Sequence, residues 1–81
     1  MSKADNMFEE LGYEKIRDNK SETLYKKDKV TRSNFIDFDY ETKTVMCDYS
    51  DEDYEINGSL NFNMQELKAI NEKVKELGWN E

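Results

Sequence analysis

Histidine and proline are absent from this chain, which also has only one cysteine and three glycines. Without histidine it lacks the commonest general base, the commonest zinc ligand and the base of a Ser-His or Cys-His pair. The lone Cys47 cannot form an intramolecular disulfide. Gly12, Gly58 and Gly78 are too far apart to form a phosphate-binding loop. We therefore expect no enzymatic activity, no cofactor and no typical metal site.

Long apolar runs are missing too. No segment comes near the ~18 consecutive apolar residues of a membrane span, and the first residues lack the apolar core of a signal peptide. We therefore expect a cytoplasmic protein that does not bind membranes. The net charge of −7 also disfavours direct binding to the phosphates of nucleic acids.

The length of 81 residues predicts a single domain over 1–81. Charge changes sign along it. Residues 15–32 have seven basic and three acidic side chains, whereas residues 33–63 have one basic and eight acidic. Attraction between neighbouring parts of one sheet explains this pattern. The alternative is a dipolar surface that orients a partner.

Two segments have the periodicity of amphipathic helices. The stronger runs from Asn63 to Trp79, and the other from Ser2 to Leu11. Each starts with capping-box spacing and ends in a glycine followed by an aromatic residue, which predicts a left-handed glycine cap. The apolar stripe of the C-terminal helix consists of Met64, Leu67, Ile70, Val74 and Leu77.

Alternating segments between the helices predict antiparallel strands. The basic hairpin over 13–30 has few apolar residues and is expected at a sheet edge. The dipeptide Asn57-Gly58 predicts a turn. The expected strands are Tyr13–Arg17, Thr23–Lys29, Ser33–Tyr40, Lys43–Tyr49, Tyr54–Ile56 and the short Leu60–Phe62. The sequence thus predicts a two-layer α+β fold: an N-terminal helix, a four- to five-stranded antiparallel meander and a C-terminal helix packed on the sheet.

Two strands show a clear inward face. Ile36, Phe38 and Tyr40 share one side of the third strand; Val45, Cys47 and Tyr49 share one side of the fourth. We expect Cys47 to pack inward as a small apolar residue.

The end segments MFEELGY and MQELKAINEKVKELGW resemble a group of short proteins encoded by phages, prophages and other mobile elements of Gram-positive bacteria. The resemblance covers about a third of the chain. It implies a mobile-element origin and an intracellular setting, and it supplies no catalytic or binding residues.

Two places are candidate partner-binding sites. The first is the acidic loop, with Asp51, Glu52, Asp53 and Tyr54. Its carboxylates also make calcium an alternative ligand, although the EF-hand pattern fails because Asp53 stands where glycine is required.

The second place is the face of the sheet opposite the predicted core. Phe35 and Met46 project there and would be joined by Tyr25 or Tyr54. If both helices cover one face only, these side chains form an interface patch. A second helix covering that face is the alternative.

The leading hypothesis is a small, acidic, non-enzymatic interaction domain that binds a protein or forms a homodimer. Two alternatives stand beside it. One is a nucleic-acid mimic, whose carboxylates imitate phosphates and occupy a basic cleft. The other is a carboxylate-rich calcium binder.

Overall fold

The computed structural model describes residues 2–51, 56–59 and 62–79 and has the predicted α+β order. Each helix lies at one end of the chain, with the strands between them. The elements are α1 (Lys3–Glu10), β1 (Glu14–Asp18), β2 (Glu22–Asp28), β3 (Arg32–Asp39), β4 (Thr44–Asp51), β5 (Ile56–Ser59) and α2 (Met64–Leu77).

The strands form one antiparallel meander in the order β1-β2-β3-β4-β5. The turn predicted at Asn57-Gly58 is wrong, because both residues lie in β5 and pair with Ser50 and Tyr49. Pairing with β4, which continues to Asp51, overrides the local turn preference of this dipeptide. Phe62, expected in a last strand, lies outside any strand.

The helix ends follow the predicted capping. The Ser2 hydroxyl accepts a hydrogen bond from the Asp5 amide, and Asn63 and Glu66 complete a reciprocal capping box at 2.9 Å in both directions. Gly12 and Gly78 have φ of 92° and 74°. After each glycine the chain turns back, because the next amide donates to a carbonyl of the last helical turn.

The core lies between one face of the sheet and the two helices. Tyr25 stacks on Phe8 with 4.1 Å between ring centroids, and Phe38 contacts both rings edge-on. Only β1 of the predicted edge hairpin is an edge strand, since β2 lies between β1 and β3. The buried apolar core consists of Phe8, Tyr13, Tyr25, Ile36, Phe38, Ala69 and Ile70.

The buried side of α2 differs from the predicted stripe. Met64 is 63% exposed, whereas Glu66 and Lys73 are buried with Ala69 and Ile70. The reason is that α2 packs against α1 as well as against the sheet, where Ala69 and Ile70 join Ile36 and Phe38 in the core. Because of this contact with α1, the buried side of α2 includes Glu66, Ala69 and Lys73, which are not part of the predicted apolar stripe.

Candidate functional site

One face of the sheet is turned away from both helices, and we call it the open face. Side chains alternate across a strand. Ile36 therefore points into the core while Phe35 points the other way, and Cys47 and Met46 divide in the same manner. Met46 is 51% exposed and Phe35 is half-buried. Neither α1 nor α2 covers this face, so the predicted placement of Phe35 and Met46 is confirmed.

The strand register arranges the open face in rows. Phe35 pairs with Lys26 on β2 and with Asp48 on β4. The Lys26 ammonium lies 5.8 Å from the centroid of the Phe35 ring. This line of three residues, the Phe35 row, has an aromatic side chain in the middle, a cation on one side and a carboxylate on the other.

The next row along the strands is centred on Asp37. Its pairing partners are Leu24 on β2 and Met46 on β4, so the carboxylate stands between two apolar side chains. Its Oδ1 is buried and accepts no hydrogen bond within the described part of the chain. Burial, then the negative charges of Glu22 and Asp39, raises the pKa of Asp37 to about 6. Asp37 therefore changes charge just below neutral pH.

Charged residues border this row on the side of β1. The Arg17 guanidinium contacts the Glu22 carboxylate at 2.5 Å, and Arg17 pairs with Leu24 across β1 and β2. Glu22 in turn pairs with Asp39 on β3. The open face thus has three apolar side chains, Leu24, Phe35 and Met46, around the Asp37 carboxylate, with further charged residues at its border.

Tyr25 does not join this face, contrary to the expectation from the sequence. It pairs with Ile36, which places it on the core side, and it is 1% exposed. Its hydroxyl donates to Asp5 at 2.6 Å. The sequence of β2 did not predict this role, because few of its residues are apolar. The ring that packs on Tyr25 is that of Phe8, which comes from α1.

A polar cluster joins the helices to the sheet on the core side. Asp5 accepts from Tyr25 and from Lys15, and the Tyr13 hydroxyl donates to Glu66 at 2.5 Å. Burial, together with the adjacent carboxylates, raises the pKa of both phenols far above its ordinary value. Both hydroxyls therefore keep their protons near neutral pH and act as hydrogen-bond donors that hold α1 and α2 in place.

A cleft of about 530 Å³ opens beside this cluster. Its polar groups at Asp5, Lys15 and Tyr25 already bond to one another. The residues that line it are Asp5, Glu9, Tyr13, Glu14, Lys15 and Tyr25.

Cys47 lies on the core side with Val45, as predicted. Burial, then the charges of Asp48 and Glu66, raises the pKa of its thiol to about 11. The thiol is therefore protonated at neutral pH and packs as a small apolar group.

β4 continues to Asp51 and so extends into the segment that the sequence predicted to be an acidic loop. Asp51 is the last residue of this strand and is 7% exposed, with its carboxylate 3.8 Å from Arg32. It is a partly paired strand residue and not part of a solvated loop. Glu52, Asp53 and Tyr54 lie outside the described residues. Within residues 2–51, 56–59 and 62–79, no three carboxylate, cysteine or histidine side chains gather in a way that would hold a metal ion.

Sequence reasoning missed Lys26, Asp37 and Asp48 as parts of the candidate surface. Asp37 and Asp48 have the parity of Phe35 and Met46 along their strands, so alternation alone assigns these two to the open face. Lys26 lies beside Phe35 because of the register in which β2 pairs with β3. No local sequence pattern specifies that register.

Comparisons of this chain with protein-family models, curated proteins and solved structures found no match. Among the described residues, neither helix is long and apolar enough to cross a membrane.

Proposed function

We propose that this chain is a small interaction domain that binds a protein through the open face of its sheet. One observation carries the proposal: both helices pack on the same face, which leaves Phe35, Met46 and Leu24 on the other. Apolar side chains grouped on an exposed face favour association. We infer a cytoplasmic, non-enzymatic role, in line with the resemblance to mobile-element proteins.

The composition of this surface supports protein binding. Phenylalanine and methionine are enriched at the centres of interfaces, where they fill pockets of the partner. Arg17 and Lys26 stand on the β1–β2 side, and Asp48 stands on the β4 side. Such a border of both signs fixes the orientation of a partner more than it adds affinity.

The test is an affinity capture from the cell that makes this chain, with three baits. The first is the wild type, the second is the double variant Phe35→Asp/Met46→Asp, and the third is Lys68→Asp on the exposed side of α2. Thermal melts establish that each bait is folded. A protein captured by the wild type and by Lys68→Asp, and lost with the double variant, supports the proposal. Equal capture by all three contradicts it.

A second candidate function is nucleic-acid mimicry, and the carboxylates at one end of the open face favour it. Glu22, Asp37 and Asp39 lie close enough for the first and third to raise the pKa of the second. Grouped carboxylates present a field like that of phosphates. A mimic loses its basic partner steeply as salt rises, whereas an apolar contact persists. Capture at low and high salt therefore separates the two functions.

A further inference from the structure

We propose that the occupant of the open face is a second copy of this chain. The two copies would pack face to face about a two-fold axis that runs along β3, with Lys26 of each copy over Asp48 of the other. This inference rests on the open face being the interaction surface.

Symmetry makes the arrangement specific. A two-fold axis parallel to β3 exchanges the β2 side of one copy with the β4 side of the other and keeps every row level with itself. In the Phe35 row, the cation is Lys26 on β2, whose ammonium also contacts the Asp28 carboxylate at 3.4 Å, and the carboxylate is Asp48 on β4. The rotation therefore brings each Lys26 over an Asp48, and the two Phe35 rings meet near the axis. One row supplies two opposite-charge contacts around an aromatic contact.

A two-fold axis at right angles to β3 lacks this match. A two-fold axis perpendicular to the strands, between the Phe35 row and the Asp37 row, would place Lys26 over Leu24 and Asp48 over Met46. It would also place Phe35 over Asp37. Each of these contacts sets a charge against an apolar group, which costs desolvation without a partner. Of these two axes, the one along β3 is the one that joins opposite charges, and it also brings the two Asp37 carboxylates together.

The Asp37 row gives the dimer a dependence on pH. About the proposed axis, Leu24 of one copy meets Met46 of the other, and the two Asp37 carboxylates approach each other. The charged groups around Asp37 are Arg17 from β1, Glu22 from β2, Asp39 from β3 and, one row away on β4, Asp48. Two ionised carboxylates repel, whereas protonated ones do not. The proximity of the second carboxylate raises the pKa of Asp37 in the dimer above its value in the single chain, so the dimer tightens as the pH falls toward about 6.

The size of the face sets the expected strength. The axis along β3 lays β1 over β5 and β2 over β4, so the contact includes all five strands. At ~4.8 Å between strands and ~7 Å between three rows, they give a footprint of at most about 500 Å² on each copy. The total of roughly 1,000 Å² is at the lower limit of specific interfaces. We therefore expect a weak, reversible dimer that is visible at high micromolar concentration.

The test uses charge exchange and sedimentation equilibrium. K26E and D48K should each weaken self-association by at least about tenfold, because two attractive contacts become repulsive. A mixture of the two variants should form a heterodimer about as strong as the wild-type dimer, since every contact in it again joins opposite charges. K68E on α2 and E10K on α1 carry the same changes of charge away from the face and should leave the dimer unchanged.

The pH arm uses D37N. Wild-type dimerisation should strengthen by at least about tenfold between pH 8 and pH 5, and D37N should dimerise near pH 8 about as well as the wild type does at pH 5. A wild type that stays monomeric at all concentrations at pH 5, or single charge variants that associate as well as the wild type, would overturn the proposal. A wild type whose association does not change with pH would overturn the axis along β3.

The outcomes also separate this inference from the proposed function. If the wild type is monomeric and the capture of another protein still depends on Phe35 and Met46, the open face is the interaction surface, but its occupant is not a second copy of this chain. If the wild type is monomeric and capture is unaffected by those substitutions, both proposals are wrong.

Discussion

The Tyr13 hydroxyl donates to the Glu66 carboxylate at 2.5 Å and joins two residues that are 53 positions apart in the chain. Tyr13 follows the glycine that ends α1, and Glu66 is the third residue of α2 and the acceptor of its capping box. One carboxylate thus fixes the start of one helix and the end of the other. Both residues are buried, so neither can exchange its partner for water.

Tyr13→Phe should destabilise the fold by about 1–3 kcal/mol, because it leaves a buried carboxylate oxygen without its donor. The measurement is urea unfolding of the variant against the wild type. Glu66→Gln serves as the partner in a double-mutant cycle, since glutamine also satisfies a capping box. Additive losses in the double variant would show that the two side chains do not interact.

Stability should decline above about pH 10. Burial and the carboxylates of Glu66 and Asp5 raise the pKa of Tyr13 and Tyr25 in the folded state, whereas the unfolded phenols ionise near pH 10. The folded state therefore holds protons that the unfolded state has lost. Each phenol then removes up to about 1.4 kcal/mol of stability per pH unit above that value.

Thermal melts from pH 8 upward measure this decline. Tyr25→Phe removes one of the two phenols and should make the slope shallower, whatever it does to stability at pH 8. A variant slope equal to that of the wild type would show that Tyr25 titrates normally in the folded protein.

Asp51→Asn should lower stability by about 1 kcal/mol, because it removes the charge from a buried carboxylate beside Arg32. The Arg32 guanidinium also lies 4.4 Å from the centroid of the Tyr49 ring, so its position depends on this strand end. The acidic-loop interpretation gives the opposite expectation, since neutralising a crowded solvated loop costs nothing. Glu41→Gln, at an exposed turn, is the matched control in urea unfolding.

The parts of the fold that the sequence predicted are those set by local chemistry. Asn63 and Glu66 lie at capping-box spacing, and Gly78 follows the last apolar residue of α2, so the helix bounds were predictable. Alternation in β3 and β4 is also local, and it correctly predicted that Phe35 and Ile36 lie on opposite faces of the sheet, as do Met46 and Cys47.

The parts that were missed depend on contacts between distant segments. Tyr25 is in the core because α1 brings Phe8 onto its ring. Asp51 is a strand residue because Arg32 stands opposite it on β3. Lys26 joins the candidate surface because the register of β2 sets it beside Phe35. None of these relationships follows from the local sequence, since register is set by the whole sheet.

Asp37→Asn should stabilise the fold at neutral pH and leave it little changed near pH 4. The pKa of Asp37 is raised to about 6 in the folded state by burial, then by Glu22 and Asp39, and the unfolded carboxyl titrates near 3.9. Between these values the folded state holds the extra proton, so its stability falls as the pH rises through that window. Partial solvent screening limits the gain from the substitution to about 1 kcal/mol at pH 7.5.

Urea unfolding of wild type and Asp37→Asn, at pH values from 4 to 8 and at low micromolar protein, checks this expectation. The low concentration keeps self-association from adding to the difference. Glu14→Gln is the control, because Glu14 is exposed on the edge strand β1 and pairs with Lys26, which places it on the same face. The two curves for Asp37 should converge at acid pH and separate toward pH 8. Parallel curves would show that the carboxylate is solvated like any surface aspartate, and they would also remove the basis for the pH dependence of the dimer.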